Sequence, residues 1–137
     1  MRVLGLDFGS ERIGVALSDD LGMIAQPLEF VPNHPPDGVW KRLNEILRDT
    51  PYETIVVGMP RNMDGSYGPA AEKVRQFIEQ LEQEVGVPVR TWDERLSSAQ
   101  ANRVLLQANV SRKKRKSHVD KMAAAIILQG YLDSTQL

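Results

Sequence analysis

The fold is decided by residues 3–18, VLGLDFGSERIGVALS. The run Val3–Phe8 is apolar apart from one acid, Asp7, and predicts a buried strand. Large apolar residues alternate with small ones over Ile13–Ser18, which predicts a second strand. Because only residues 9–12 separate the two runs, we expect an antiparallel hairpin with Asp7 close to its turn.

The rest of the chain predicts three more strands and four helices. The predicted strands are Leu28–Val31, Thr54–Met59 and Val87–Trp92, and the predicted helices run from Asp37 to Arg48, Pro69 to Val85, Ser97 to Ala108 and Val119 to Leu132. Continuous apolarity in the fourth strand favours a central, parallel position. Together the elements predict an α/β fold in one domain over residues 1–137. Its mixed five-stranded sheet has three antiparallel strands, then parallel strands, and is flanked by helices.

Composition narrows the class of protein. The 137 residues fit one domain of ordinary size, and the absence of cysteine excludes disulfides and cysteine-ligated zinc. No apolar stretch reaches membrane-spanning length, so we expect a soluble cytoplasmic protein without a membrane partner. The net charge is −1, but the block Arg112–Lys116 holds five cations and leaves −6 for the other residues. Such a block is typical of a solvated, mobile loop or of a nucleic-acid contact, and both interpretations stay open.

Three carboxylates stand at the ends of predicted buried elements. Asp7 ends the first strand, Glu94 follows the fifth, and Asp120 opens the last helix. Each has a simple structural explanation. Asp7 could hydrogen-bond its own turn, Glu94 could pair with Arg95, and Asp120 could favour the positive end of the helix dipole. Asp93, beside Glu94, is a weaker additional candidate.

The three acids form a site if they converge. The first and fourth strands should be central and parallel, and ligands of such sheets gather beyond the carboxyl ends of the strands. Buried carboxylates repel one another unless a cation neutralises them, and Mg²⁺ or Mn²⁺ suits oxygen ligands. Two such ions about 3.5–4 Å apart would activate a water and stabilise a leaving oxygen in phosphodiester cleavage. Asp7, Glu94 and Asp120 are therefore the predicted metal ligands and catalytic groups.

Cationic and amide side chains near these acids could contact phosphates. They are Arg12, Arg61, Asn62, Arg95, Arg112, Lys113, Lys114, Arg115 and Lys116. His118 could shuttle a proton or could be an exposed loop residue. Asp19, Asp20 and Asp64 are predicted to be turn residues, and Trp40 and Trp92 to belong to the core.

Four separated motifs resemble the YqgF family, also called RuvX-like, whose members are named as Holliday junction resolvases or pre-16S rRNA nucleases. The motifs are LDFGSERIGVA at residues 6–16, VGMPRNMDGS at 57–66, DERLS at 93–97 and VDKMAA at 119–124. The resemblance implies a ribonuclease H-like fold and a metal-dependent nuclease with Asp7, Glu94 and Asp120 as its acidic triad. It implies processing of the 5′ end of pre-16S ribosomal RNA, with structured RNA, pre-rRNA or ribosomal particles as partners. Resolution of four-way DNA junctions is the alternative.

Two further interpretations remain. The motif LDFGS at residues 6–10 also resembles the first phosphate loop of sugar kinases and actin-like ATPases, although those enzymes close two lobes over ATP. A non-catalytic module that binds structured nucleic acid would use the basic block and leave the acids structural. The sequence distinguishes neither RNA from DNA nor a monomer from a homodimer.

Overall fold

The computed structural model describes residues 2–33, 36–60, 64, 66–93 and 112–135, without the side chains of 36, 37 and 112–122. The helix predicted over residues 97–108 lies outside these ranges. No helix within them has both the length and the apolar character that crossing a membrane requires.

A five-stranded sheet forms the centre of the fold. Its strands are β1 (Val3–Phe8), β2 (Arg12–Ser18), β3 (Ala25–Pro32), β4 (Thr54–Met59) and β5 (Val89–Asp93), in the spatial order β3-β2-β1-β4-β5. Strand β2 pairs antiparallel with β1 and with β3, whereas β4 pairs parallel with β1 and with β5. The predicted mixed sheet is confirmed, with β1 and β4 as central parallel strands.

Helices cover both faces of the sheet. Helices α1 (Pro36–Asp49) and α2 (Pro69–Glu84) pack against one face, where the apolar side chains of Leu4, Leu6 and Val57 lie. Helix α3 (Arg112–Thr135) packs against the other face, over Val3, Ala16 and Val56. Because side chains alternate along a strand, each strand contributes to both layers of the core. The expectation that the last helix lies on the sheet is confirmed.

Several element boundaries differ from the predicted ones. Strand β3 begins at Ala25 rather than Leu28, and β5 covers Val89–Asp93 rather than Val87–Trp92. Helix α1 begins at Pro36, so the predicted cap at Asp37 is wrong. Proline is well suited to a first helical turn, because its missing N–H has no intrahelical partner there.

The largest difference is at the start of α3, which begins at Arg112 rather than at Val119. The basic block Arg112–Lys116 is therefore helical, and the loop interpretation is wrong. Lysine and arginine are good helix formers, so charge alone does not end a helix. As a result Asp120 lies in the third turn of α3 and not in its first turn.

Small residues let α3 lie unusually close to the sheet. A Cβ added at Gly5 would stand 2.8 Å from Leu128 Cβ, and one at Gly14 would stand 3.3 Å from Ala124 Cβ. The small residues that alternate through β2 therefore face α3. Substituting either glycine would push the helix outward.

A side-chain clamp fixes the far end of α3. Gln129 accepts a hydrogen bond from the Ala25 N–H at 2.9 Å and donates to the Met23 carbonyl at 2.9 Å. The β2–β3 turn that it holds is also closed by Asp19, whose carboxylate accepts from the Met23 and Ile24 N–H groups. The hydrogen bonds from the Ile24 and Met23 N–H groups hold the pKa of Asp19 below its ordinary value. Glycine contacts and clamp together fix the position of α3 along the sheet.

The predicted turn and core residues are confirmed. Asp64 accepts from the backbone N–H and hydroxyl of Ser66, and Asp20 pairs with Arg2 at 2.6 Å, so both are turn residues. Trp40 stacks on Phe77 with ring centroids 5.4 Å apart. Trp92 packs against α3, with its ring centroid 6.1 Å from that of Tyr131.

Candidate metal and nucleic-acid site

Asp7 lies near the carboxyl end of the central strand β1, on the face that α3 covers. Val3 belongs to the core beneath α3 and Gly5 touches Leu128, so the two-residue alternation places Asp7 on the same face. Asp7 is partly buried and is the register partner of Gly14 on β2. Its Cβ lies 3.7 Å from a Cβ built at Gly14, which confirms that the two positions share a face. The expected position of Asp7 close to the turn of the hairpin is confirmed.

Helix α3 brings position 120 toward the same edge of the sheet. Leu128 lies over Gly5 and Ala124 lies over Gly14, so the helix approaches Asp7 as its numbering falls. Position 120 is one turn before Ala124, on the same helical face and about 6 Å further along the axis. The helix-dipole explanation for Asp120 fails, because that effect is confined to the first turn. The side chain of Asp120 lies outside the described part of the structure.

Strand β5 fixes the face of the sheet from which Asp93 projects. Trp92 faces α3, because a Cβ added at Gly130 would stand 2.9 Å from its Nε1. Asp93 is the next residue, so it projects from the opposite face, where its side chain is exposed. Asp93 is thus on the wrong face to join Asp7, which removes the geometric basis for it as a further ligand. Glu94 follows the last described residue of β5 and lies outside the described ranges.

The β1–β2 turn beside Asp7 is held by backbone and side-chain bonds. Gly9 N–H donates to the Arg12 carbonyl at 3.0 Å, and Asn33 N–H donates to the Glu11 carbonyl at 2.9 Å. The Asn33 side-chain amide donates to the Gly9 carbonyl at 2.7 Å. A Cβ at Gly9 would stand 2.7 Å from the Arg12 carbonyl oxygen, so the turn requires glycine there. The end of β3 therefore fixes this turn in place.

An open concavity of about 240 Å³ lies beside Asp7. It is lined by Asp7, Gly9, Ser10, Glu11, Arg12, Gly14 and Phe30. The guanidinium carbon of Arg12 stands 4.8 Å from the centroid of the Phe30 ring. Arg12 is the one predicted phosphate contact whose side chain is described, and the structure places it next to Asp7.

Sequence reasoning missed Phe30 and Gly14 as residues of this site. Gly14 and Phe30 are register partners, and Phe30 Cε1 lies 3.7 Å from a Cβ built at Gly14. Asp7, Gly14 and Phe30 thus form one row across β1, β2 and β3. Phe30 falls within the strand predicted over Leu28–Val31, but its face could not be assigned because β3 pairs with β2 through an irregular register.

The other predicted contacts are described in part or not at all. Arg61, Asn62 and Arg95 lie outside the described residues. The backbone of Arg112–Lys116 is helical and precedes Ala124 by 8 to 12 residues, so it extends about 12–18 Å beyond Ala124 along the axis. The side chains of this block and of His118 are not described.

Carboxylate oxygens are suitable ligands for a hard divalent cation. Among the described side chains there is no group of three acids or histidines that could hold a metal ion. Glu94 and the side chain of Asp120 lie outside the described part of the structure. The case for a divalent metal at this site therefore rests on the position of Asp7, on the direction of α3 and on the oxygen donors that the carboxylates supply. Oxygen ligands from carboxylates suit Mg²⁺ and Mn²⁺.

This sheet order, with an acid near the carboxyl end of its central strand beneath a covering helix, defines the ribonuclease H-like class. Two solved structures share the fold. Thermus thermophilus RuvC, solved in complex with a Holliday junction substrate, matches with a TM-score of 0.56 and 21% identity over 99% of this chain and 96% of that one. The fowlpox virus Holliday junction resolvase matches with a TM-score of 0.58 and 14% identity over 98% of this chain and 99% of that one.

The chain belongs to the family described as "RuvX: Holliday junction resolvase", which matches residues 1–134. A protein of Halothermothrix orenii is 53% identical over 97% of this chain and 95% of its own length. A protein of Bacillus subtilis is 48% identical over 98% of this chain and 99% of its own length. Both carry the name "Putative pre-16S rRNA nuclease". The resemblance drawn from the four sequence motifs is confirmed.

Proposed function

We propose that this protein is a divalent-metal-dependent endonuclease of one domain that hydrolyses phosphodiester bonds, with pre-16S ribosomal RNA in the cytoplasm as its substrate. The observation that carries the proposal is the position of Asp7 near the carboxyl end of β1, under the helix that bears Asp120. The names of the relatives favour the RNA substrate. A shared fold alone does not define a reaction, so the acids carry the mechanistic argument.

We assign Asp7, Glu94 and Asp120 as ligands of Mg²⁺ or Mn²⁺. Helix α3 supports Asp120, because its numbering falls toward Asp7. Glu94 is preferred over Asp93, because Trp92 faces α3 and Asp93 therefore projects from the opposite face of β5. When bound, the metal would activate the attacking water and stabilise the leaving oxygen. The bound cation would also neutralise the three carboxylates, so that they could lie close together without being protonated.

Cationic side chains would hold the nucleic-acid backbone. Arg12 stands beside Asp7, and the block Arg112–Lys116 lies on the part of α3 that extends past the site. We assign Arg61, Asn62 and Arg95 to the same role, since they follow the carboxyl ends of β4 and β5. Phosphate contacts of this kind position a strand without reading its sequence.

Holliday junction cleavage is the second candidate, favoured by the family description and by the junction substrate bound to RuvC in the matching complex. Symmetric cleavage of a four-way junction would need two active sites and hence a homodimer, whereas a single cut in pre-rRNA needs only one active site. A match to this family along nearly the whole chain favours both nuclease functions over a sugar kinase or actin-like ATPase.

One cleavage assay tests the proposal. The wild-type protein and Asp7→Asn are incubated with precursor ribosomal RNA and with a four-way DNA junction, each with and without Mn²⁺. We expect metal-dependent cleavage of the RNA by the wild type and loss of cleavage, with binding retained, in Asp7→Asn. The matched control is Asp20→Asn, an exposed acid in the β2–β3 turn at the opposite edge of the sheet.

The outcomes separate the candidates. Cleavage of the junction alone would favour the resolvase function. Binding without cleavage under any metal condition would favour a non-catalytic module. Full activity in Asp7→Asn would remove the metal-site assignment.

A further inference from the structure

The concavity beside Asp7 has the chemistry of a nucleobase site. The Arg12 guanidinium lies 4.8 Å from the centroid of the Phe30 ring, within the range of a cation–π contact. Proteins bind unpaired bases by stacking them on aromatic rings or on guanidinium planes. The Arg12–Phe30 pair combines both surfaces in one place.

The surroundings of this pair favour a base over a bare phosphate. Glu11 lines the same concavity, and its carboxylate would repel a phosphate that entered there. A base carries no charge, and its edges can accept and donate hydrogen bonds. Arg12 is also a cation, so its charge suits the phosphate of the adjoining nucleotide.

The pair is also held in place and lies close to the proposed cleavage site. Asn33 ties the turn that carries Arg12 to the end of β3, through bonds to the Glu11 and Gly9 carbonyls. Phe30 lies in the same cross-strand row as Asp7, two strands away, which is about 10 Å between Cα positions. A fixed surface at that distance suits a nucleotide that adjoins the scissile phosphate.

We propose that Arg12 and Phe30 form a platform that stacks an unpaired base adjoining the scissile phosphate. The substrate class is then nucleic acid with an unpaired or splayed nucleotide at the cleavage position, rather than a continuous duplex. This inference rests on the proposed nuclease function for the identity of the neighbouring site. A duplex would have to give up base stacking to use the platform.

Binding measurements test the platform independently of cleavage. All variants carry Asp7→Asn, and the probe is a short single-stranded oligoribonucleotide with 2-aminopurine at one position, alone or annealed to its complement. We expect Phe30→Leu to weaken binding of the single strand by about 5- to 30-fold and to reduce the change in 2-aminopurine fluorescence. Binding of the annealed duplex should stay unchanged.

Two further variants define the cause. Phe30→Tyr keeps the ring and should retain single-strand binding. Arg12→Lys keeps the charge but loses the planar surface, so it should lose single-strand affinity while the salt dependence of binding stays as in the parent. The matched control is Arg48→Lys, an exposed arginine of α1 on the other side of the sheet.

The proposal is overturned if Phe30→Leu and Arg12→Lys bind the single strand as tightly as the parent, or lose single-strand and duplex affinity equally. Arg12 is exposed, so Arg12→Lys keeps the test valid if Phe30→Leu does not fold. Failure of the proposed nuclease function would be seen separately. In that case the wild-type protein would cleave no substrate in Mn²⁺, but Phe30→Leu and Arg12→Lys would still weaken binding of the single strand.

Discussion

Replacement of Gly14 by alanine should separate catalysis from stability in this protein. The added Cβ would stand 3.3 Å from Ala124 Cβ and 3.7 Å from Asp7 Cβ. Carbon atoms pack best at about 3.5–4.0 Å, so α3 must move outward by roughly 0.2–0.7 Å at Ala124. Asp120 is one turn from Ala124 and would move with it. The distance between Asp120 and Asp7 would therefore grow.

The expected effect on activity is larger than the effect on folding. Metal ligands must be held within about 0.5 Å, and Mg²⁺ requires near-ideal octahedral geometry. We expect single-turnover cleavage in Mg²⁺ to fall about 10-fold, because a misplacement near 1 Å costs about 100-fold. Overpacking destabilises the folded protein by roughly 1–3 kcal/mol. Alanine offsets about 0.4–1 kcal/mol of this, because it lowers the conformational entropy of the unfolded chain. The net destabilisation should be about 1 kcal/mol in urea denaturation.

Gly86→Ala is the matched control for that experiment, since a Cβ there meets nothing within 4 Å. It should leave cleavage unchanged and should stabilise the protein by about 0.4–1 kcal/mol, because alanine restricts the unfolded chain. A folded Gly14→Ala protein with wild-type cleavage and Mg²⁺ affinity would refute the reasoning. The reasoning would also be refuted if cleavage by Gly14→Ala fell only in proportion to the fraction of unfolded protein.

Two other predictions concern the turn that anchors α3. Asp19→Ala should destabilise the protein at pH 7, and this difference from the wild type should vanish as the pH falls through the lowered pKa of Asp19. The sign follows because a depressed carboxyl pKa stabilises the fold only while the group is ionised. Urea denaturation at several pH values measures it, and an equal difference at every pH would contradict it. Gln129→Leu should cost about 1–3 kcal/mol by leaving the partly buried Ala25 N–H unpaired, and should speed amide hydrogen exchange at Ala25. Unchanged exchange there would show that the clamp does not hold the turn.

The sequence predicted a strand or helix correctly where its pattern of apolar residues matches the burial of that element in the structure. Val3–Phe8 and Thr54–Met59 were predicted to the residue, because their apolar runs are bounded by turn residues. The start of β3 was missed because Pro27 interrupts its pattern, yet proline is tolerated on an edge strand such as β3. The start of α3 was missed because residues 112–118 have no apolar periodicity, although their lysines and arginines are good helix formers.

The site was predictable at Asp7 and less so elsewhere. A carboxylate at the end of a buried strand is visible in the sequence, whereas Phe30 enters the site only through the register of β2 with β3. That register contains an irregularity between Val15 and Ala16, which no sequence pattern reveals. The choice of Asp93 or Glu94 as the metal ligand likewise depends on which face of β5 packs against α3.

Anomalous diffraction from crystals soaked in Mn²⁺ tests the central claim most directly. We predict a peak on the α3 side of the sheet within about 2.0–2.6 Å of an Asp7 carboxylate oxygen, with Glu94 and Asp120 as further ligands. A peak ligated by Asp93 on the opposite face, or ordered Mn²⁺ elsewhere with none at Asp7, would contradict the account.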